Sequence, residues 1–128
     1  MRADLQRVAA SVCLLDDDSS VLKATQRLLC SAGWDVETFS DPHSFLEFAQ
    51  RHQPPLVVID IWMPEMSGLE VQKRLRCVSP ATHVVVLTSK DDPSIEAEAM
   101  NGGAAAFFLK PADDEEFLTR LRAIAEAT

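Results

Sequence analysis

The segment Leu56–Gly68, LVVIDIWMPEMSG, decides the fold and raises a question about one carboxylate. Its apolar residues run without interruption into Asp60. A short continuous apolar run is typical of a strand that is covered on both faces, as in a parallel sheet. Such a strand ends on a charged group only where that group has a partner or a chemical task, because an unpaired buried charge is costly. We therefore expect a buried parallel strand that brings Asp60 to the edge of a sheet.

Short strand-like runs recur on both sides of this segment and are separated by helical patterns. The strands are predicted at residues 11–15, 35–39, 56–59, 83–89 and 105–109. Apolar residues at helical spacing, with Asp, Ser or Pro near the starts, predict helices at about residues 21–33, 42–53, 69–78, 93–100 and 113–125. Repeated β-α units predict an α/β fold in which a parallel sheet carries helices on both faces.

The composition is that of an ordinary globular domain and argues against several classes of function. Of 128 residues, 47% are hydrophobic and 25% charged, so we expect one domain over residues 1–128 with its core at about 11–125. A formal net charge of −8 argues against nucleic-acid binding through this domain, since phosphate contacts need a basic face. No apolar run approaches the roughly 20 residues of a membrane span. Three cysteines without metal-like spacing fit a reducing, cytoplasmic compartment.

Polar residues follow four of the predicted strands, at ends that share one edge of a parallel sheet. They are Asp16 and Asp17 after the first strand, Asp60 after the third, Thr88 at the end of the fourth and Lys110 after the fifth. Converging carboxylates repel each other unless a cation lies among them, and oxygen ligands suit Mg²⁺. A hydroxyl and an ammonium group nearby would suit a phosphoryl group, which a carboxylate can accept as a nucleophile. Asp18 falls where the first helix begins and is interpreted as its cap.

The chain resembles the receiver domain of bacterial two-component response regulators over about residues 11–125. The resemblance is carried by the motifs LLDDD at 14–18, VVIDIWMPEMSG at 57–68, VVLTS at 85–89 and GGAAAFFLKP at 102–111. It looks closest to the nitrogen-fixation type of these regulators. It implies a single doubly wound, flavodoxin-like α/β domain whose five-stranded parallel sheet has the order 2-1-3-4-5 with five helices.

The resemblance also implies the roles of the acidic residues. Asp60 matches the phosphoacceptor of the family. Asp16 and Asp17 match the acidic pair that binds Mg²⁺, with Asp17 as a direct ligand and Asp16 acting mostly through water. The backbone carbonyl of Trp62 matches the third protein ligand of the metal. Together these positions imply Mg²⁺ as the cofactor.

Three further positions match family residues that contact the phosphoryl group or change conformation when it is present. Thr88 matches the switch hydroxyl, Lys110 the lysine that pairs with the phosphoryl group, and Phe107 the aromatic residue of the switch. The family has a cis peptide bond before the proline that corresponds to Pro111. Phe107 lacks the hydroxyl of a tyrosine, and the chain contains no Tyr.

The function implied is that of a phosphoacceptor signalling domain. A sensor histidine kinase or a phosphotransfer protein would donate a phosphoryl group to Asp60, and the domain would then change its surface to control a homodimer or an output partner. It would not be a turnover enzyme, although it would assist its own Mg²⁺-dependent phosphorylation and dephosphorylation. A phosphate-independent interaction module and an aspartyl-phosphate hydrolase are the alternatives. The hydrolase class usually has a second acid where this chain has Trp62. A nucleotide binder is disfavoured because no Gly-rich loop follows the first strand.

Two large side chains flank the predicted phosphorylation site. Trp62 lies two residues after Asp60, and Lys90 lies two residues after Thr88. An indole can neither position nor deprotonate water, so Trp62 is predicted to shield the acceptor from hydrolysis. Lys90 is predicted to close the other side by pairing with a phosphoryl oxygen or with Glu65.

Overall fold

The computed structural model describes residues 10–127, in which strands and helices alternate along the chain. The strands are β1 (Ser11–Leu15), β2 (Asp35–Phe39), β3 (Leu56–Ile59), β4 (His83–Thr88) and β5 (Ala106–Leu109). The helices are α1 (Ser19–Ser31), α2 (Pro42–His52), α3 (Gly68–Val78), α4 (Pro93–Asn101) and α5 (Asp114–Glu126). Every predicted element is confirmed, and boundaries differ by a residue or two. Residues 1–9 and 128 of the predicted domain lie outside the described residues.

The strands form one parallel sheet in the order β2-β1-β3-β4-β5, as predicted. The register pairs Leu15 of β1 with Ile59 of β3, and Ile59 with Val86 of β4. Because paired parallel strands end at the same edge, the segments that follow β1, β3 and β4 leave the sheet side by side.

The hydrophobic core lies on both faces of this sheet. Alternate residues of β3 point to opposite faces, as the pleat of a strand requires: Val57 and Ile59 pack in the cluster beneath α2, α3 and α4, whereas Leu56 and Val58 pack in the cluster beneath α1 and α5. All residues of β3 are buried. The uninterrupted apolar run before Asp60 is therefore explained by helices on both sides of the strand.

The helices begin at the same edge of the sheet at which the strands end, and short polar side chains cap them. Asp18, Asp41, Asp92 and Asp113 each accept a hydrogen bond from a backbone N–H in the first turn of α1, α2, α4 and α5. Ser67 does the same for α3. The role predicted for Asp18 as a helix cap is confirmed. Much of the acidity at this edge therefore stabilises helix starts.

The cysteines are all unpaired. Cys30 and Cys77 are exposed, and Cys13 is buried in β1. Burial raises the pKa of the Cys13 thiol to about 12, with a smaller contribution from the charge of Glu37. Cys13 therefore stays protonated near neutral pH and packs as a small apolar side chain. Within residues 10–127, no helix combines the length and the apolar character needed to cross a membrane.

Candidate functional site

The carboxylates of Asp16, Asp17 and Asp60 come together at the carboxyl edge of the sheet. One oxygen of each lies within 4.8 Å of the others. The backbone N–H of Asp60 donates to the carbonyl of Leu15 over 3.0 Å, which continues the pairing of β1 with β3 up to the acidic residues. Asp16 and Asp60 are only 6% and 7% exposed, whereas Asp17 is exposed. The structure therefore brings together the three acids that the sequence singled out.

Lys110 reaches this acidic cluster from the far side of β4. Its Nζ donates to Asp16 Oδ2 over 2.9 Å and lies 4.0 Å from Asp60 Oδ1. The backbone N–H of Lys110 donates to the carbonyl of Thr88 over 2.7 Å, so the residue is held against the end of β4. The peptide bond between Lys110 and Pro111 is cis, as the resemblance implied. The ammonium is thus paired with one acid and close to another.

Two polar atoms of the site are buried without a hydrogen-bond partner among the described residues: Asp60 Oδ1 and Thr88 Oγ1. Such a group costs about 1–3 kcal/mol when it is left unsatisfied. Buried polar groups without partners are rare in native proteins and call for an explanation, for which a bound ion is one candidate. A carboxylate oxygen and a hydroxyl in this state suit a ligand that brings both positive charge and acceptor oxygens.

The pKa of Asp60 depends on the burial of its carboxyl group and on two neighbouring charges. Burial raises the pKa of the Asp60 carboxyl, the Lys110 ammonium opposes this shift, and the Asp16 carboxylate adds to it. Desolvation and a like charge both disfavour the ionised form, so a bound cation would restore it. The donor set of hard oxygen atoms fits Mg²⁺ in chemistry and in charge.

Gly68 allows α3 to approach the backbone that follows β3, a role that the sequence patterns did not predict. A Cβ atom at Gly68 would clash with the carbonyl oxygen of Asp60 and would lie 3.0 Å from the Cα of Ile61. The N–H of Gly68 donates to the carbonyl of Ile61 over 2.9 Å. The signal in the sequence was a glycine at the start of a helix instead of beyond its end, where glycine is usual.

Trp62 and Lys90, which follow β3 and β4, contact each other. The Lys90 Nζ lies 4.8 Å from the centroid of the Trp62 ring, a cation–π contact. Trp62 is 42% exposed, so part of the indole faces solvent. Lys90 therefore contacts the Trp62 ring instead of the predicted partner, Glu65. The role of the Trp62 carbonyl as a metal ligand stays a prediction.

Phe107 lies on β5, paired with Val86 of β4. It is half-buried and packs against the same hydrophobic cluster as Ile95 of α4. Phe108 points to the other face, where its ring makes an edge contact with Phe117 at a centroid distance of 5.3 Å. Phe107 is therefore the aromatic residue of β5 on the side of α4, whereas Phe108 is part of the core beneath α5.

The family model of the response regulator receiver domain matches residues 12–122. The chain belongs to this family. This receiver domain is 36% identical over 115 residues to the response regulator protein TodT of Pseudomonas putida, a match that covers 90% of this chain and 51% of TodT. It is 35% identical over 127 residues to the probable transcriptional regulatory protein TcrX of Mycobacterium tuberculosis, with coverage of 99% of this chain and 53% of TcrX. The chain therefore spans about half the length of these curated relatives.

Solved structures confirm the fold of the receiver domain. The chemotaxis protein CheY4 of Vibrio cholerae superimposes with a TM-score of 0.83 at 30% identity, covering 91% of this chain and 98% of CheY4. A CheY-like receiver domain from Methanospirillum hungatei gives a TM-score of 0.87 over 93% of this chain and 95% of its own length. Its 22% identity supports the fold alone. These structures confirm the predicted flavodoxin-like architecture. The match to the receiver family confirms the predicted function in two-component signalling.

Proposed function

We propose that this receiver domain accepts a phosphoryl group on Asp60 in the presence of Mg²⁺ and thereby changes the surface that it offers to partners. One observation carries the proposal. Three carboxylates converge within 4.8 Å, while Asp60 Oδ1 and Thr88 Oγ1 are buried without hydrogen-bond partners. A phosphoryl group with its metal ion would give partners to both atoms and would offset the charge of the acids.

The metal would be held by the acidic edge of the sheet. Asp17 would bind it directly, Asp60 would supply a second carboxylate, Asp16 would act mostly through water, and the carbonyl of Trp62 would complete the protein ligands. When bound, Mg²⁺ neutralises negative charge on the phosphoryl oxygens and on the attacking carboxylate. The acids in this arrangement differ in exposure, since Asp17 is open to solvent and the other two are buried.

In the transfer itself, the protein forms one covalent bond, from Asp60 to phosphorus. An oxygen of Asp60 forms a bond to phosphorus as the P–N bond of a phosphohistidine breaks, and the leaving imidazole keeps that electron pair and takes up a proton. Lys110 lies 4.0 Å from Asp60 Oδ1, close enough for a small rotation of its side chain to reach a phosphoryl oxygen. The Thr88 hydroxyl, buried and unpaired, donates to another. These two groups stabilise the charge that arrives with the phosphoryl group.

The donor would be a sensor histidine kinase or a phosphotransfer protein, as is usual in two-component systems. The acidic surface of this domain, with a net charge of −8, gives no basis for direct nucleic-acid binding. We propose that the domain acts in the cytoplasm. We also propose that residues 1–128 form one receiver domain. Relation to the nitrogen-fixation type stays a prediction, because the names of the relatives do not include it.

The output would pass through the face built from α4, β5 and α5. Two of the large apolar side chains that are exposed on the described residues lie there: Met100 is 42% exposed and Leu109 is 39% exposed. Glu96 on α4 and Arg120 on α5 are exposed and of opposite charge. A two-fold axis through this face would allow the Glu96 carboxylate of one copy to pair with the Arg120 guanidinium of the other. Phosphorylation would therefore promote a modest, salt-sensitive homodimer.

The alternatives receive no support. A hydrolase that turns over small phosphate esters needs a proton-transferring group near the acceptor, and Trp62 occupies the position in question. A phosphate-independent module would not need three acids, a lysine and a buried hydroxyl at one edge of the sheet. The domain is thus proposed to assist its own phosphorylation and dephosphorylation without being a turnover enzyme.

The decisive experiment is phosphorylation by acetyl phosphate with Mg²⁺, followed by intact mass. The wild-type chain should gain one phosphoryl group, and Asp60→Asn should gain none. Asp35→Asn, which alters an exposed acid at the opposite end of the sheet, is the matched control and should behave like wild type. Phosphoryl addition to Asp60→Asn at the wild-type level would overturn the assignment of the acceptor.

A further inference from the structure

The helices on one face of the sheet are linked to each other at their C-terminal ends, far from the phosphorylation site. The first link joins α2 to α3. Gln53 Nε2, just beyond α2, donates to the carbonyl of Ala49 in α2 over 3.1 Å and to the carbonyl of Val78 in α3 over 2.8 Å. Gln53 adopts a left-handed backbone with φ of 50°, which orients this side chain at the end of the helix. One amide group thus caps two helices.

The second link joins α3 to α4. Gln72 is only 5% exposed, and its Nε2 donates to the carbonyl of Ala99 over 2.8 Å. One turn further along α3, Arg76 Nη1 donates to the carbonyl of Gly102 over 3.0 Å. The last carbonyls of a helix have no partners within the helix, so side chains from a neighbour can satisfy them. Both side chains from α3 therefore hold the C-terminal end of α4.

The chain itself also fixes this end of α4. The N–H of Ala104 donates to the carbonyl of Ala99 over 3.0 Å, and the N–H of Gly103 donates to the carbonyl of Met100 over 3.0 Å. Gly103 has a φ of 102°, which a glycine adopts without strain. The buried residue of α4 is Ala99, in its last turn. The fully buried residue of α4 and the hydrogen bonds from α3 therefore lie at the same end of the helix.

The other end of α4 is held by the partly buried side chain of Ile95, which packs against the core cluster, and by fewer polar contacts. Its first turn is capped by Asp92, which accepts from the backbone of Ser94 and Ile95 within the same segment. Among residues 10–127, no long-range side-chain hydrogen bond reaches residues 89–98. The long-range polar contact of this stretch is the exposed cation–π contact of Lys90 with the Trp62 ring. This loosely held end follows directly on Thr88.

From this asymmetry we infer that α4 pivots about its C-terminal end, with Gln72 and Arg76 as the positioning residues of the hinge. When Thr88 engages a phosphoryl group, the loop at 89–92 and the first turns of α4 move, while residues 99–104 stay in place. The trigger of this motion rests on the function proposed above. The anchored end itself does not, and it can be measured without phosphorylation.

Hydrogen–deuterium exchange of the whole chain, followed along α4, tests the hinge. In the unphosphorylated protein, amides of residues 99–104 should exchange more slowly than those of residues 93–98. Gln72→Met removes the donor and keeps a long unbranched side chain. It should speed exchange at residues 99–104 about fivefold, the factor for the loss of one hydrogen bond worth about 1 kcal/mol. Arg74→Met is the matched control, because Arg74 lies on α3 in an exposed pair with Glu70 and should leave α4 unchanged.

A second variant tests the same contact without altering Gln72. Gly102 has a φ of −78°, so alanine fits its backbone, but an added Cβ would lie 3.1 Å from Gln72 Nε2. Gly102→Ala should therefore also speed exchange at residues 99–104. If both variants leave that exchange at the wild-type rate, the hinge is wrong.

Phosphorylation of the same samples separates the hinge from its trigger. After acetyl phosphate and Mg²⁺, intact mass reports whether Asp60 is modified, and exchange should change at residues 89–97 with little change at residues 99–104. If no phosphoryl group is added, the proposed function is wrong. The hinge is then tested by the exchange of residues 99–104 in the unphosphorylated wild type and variants. An equal change along the whole of α4 in the phosphorylated chain overturns the pivot.

Discussion

Lys110 forms its hydrogen bond with Asp16, over 2.9 Å, although it is the neighbouring acid that is proposed to receive the phosphoryl group. The distance from the same Nζ to Asp60 Oδ1 is 4.0 Å. The ammonium therefore offsets the charge of the site while an oxygen of the acceptor stays free of a hydrogen bond. A cation held on the adjacent acid lowers the repulsion that an incoming phosphoryl group meets and does not compete for the nucleophile.

Removal of this cation should destabilise the domain. In Lys110→Met, Asp16 and Asp60 face each other without a compensating charge. We expect a loss of about 1–2 kcal/mol in the free energy of unfolding, less than for a fully buried pair because the Lys110 side chain is 19% exposed. Denaturant unfolding without metal measures this loss. Lys73→Met, at an exposed position of α3, serves as the control, and equal stability of the two variants would contradict the ion pair.

Mg²⁺ should stabilise the folded chain through the same acids. A ligand that binds the native state at a hundred times its dissociation constant adds about 2.7 kcal/mol. Thermal melting with millimolar Mg²⁺ and with a chelator should therefore show an upward shift with metal. Asp17→Asn should abolish most of the shift with little effect on metal-free stability, since Asp17 is exposed. A full shift in this variant would exclude Asp17 as a ligand.

The acceptor carboxylate should itself lower stability at neutral pH. Burial raises the pKa of Asp60 above its ordinary value of 3.8, helped by the charge of Asp16 and opposed by Lys110. The unfolded chain therefore releases this proton first as the pH rises, and the folded state loses stability between 3.8 and the raised pKa. Asp60→Asn should raise the metal-free melting temperature at pH about 7. The gain should vanish below the ordinary pKa, and a gain that persists there would point to another cause.

The fold could be predicted from the sequence because local signals agreed at every element. The apolar run of β3 indicated burial on both faces, and Asp18 marked the start of α1. The strand order came from the resemblance and not from these patterns, since hydrophobic periodicity says nothing about which strands are neighbours. Element ends differed by a residue or two, which is the range over which helix ends fray.

The contacts of long side chains could not be predicted in the same way. Lys90 lies over the Trp62 ring instead of pairing with Glu65, whereas its pairing with a phosphoryl oxygen stays a prediction. Gln72 gave no signal as the donor to α4, because a polar residue on a helix is usually solvated and its buried partner is a carbonyl 27 residues away. Such contacts depend on how helices cross, which sequence spacing alone does not report.

Phosphorylation should promote a dimer that depends on charges of α4 and α5. Arg120→Glu should weaken this dimer, because Glu96 of one copy would then meet a second carboxylate across the two-fold axis instead of a guanidinium. Light scattering of the phosphorylated chain at low and high salt measures the effect. Arg51→Glu makes the same charge change on α2 and should leave the dimer intact. A phosphorylated chain that remains a monomer at all concentrations tested would exclude this face as the output surface.

The lifetime of phospho-Asp60 should depend on the contact between Trp62 and Lys90. Hydrolysis requires a water molecule in line with the bond that breaks, so access to the phosphorus matters as much as charge. The Lys90 ammonium lies 4.8 Å from the centroid of the indole, and we predict that this pair covers the acceptor with groups that can neither orient nor deprotonate water. Trp62→Asn should speed phosphoryl loss several-fold with little change in stability, because Trp62 is already 42% exposed. Timed intact mass measures the decay of each variant.

Two conservative variants separate the parts of this cover. Trp62→Phe keeps an aromatic ring and should retain most of the slow decay. Lys90→Met keeps the length of the side chain but removes its charge, so it should loosen the ring contact and give an intermediate rate. If Trp62→Asn loses its phosphoryl group at the wild-type rate or more slowly, the indole does not shield the acceptor, and its exposed edge is then better explained as a contact for a partner protein.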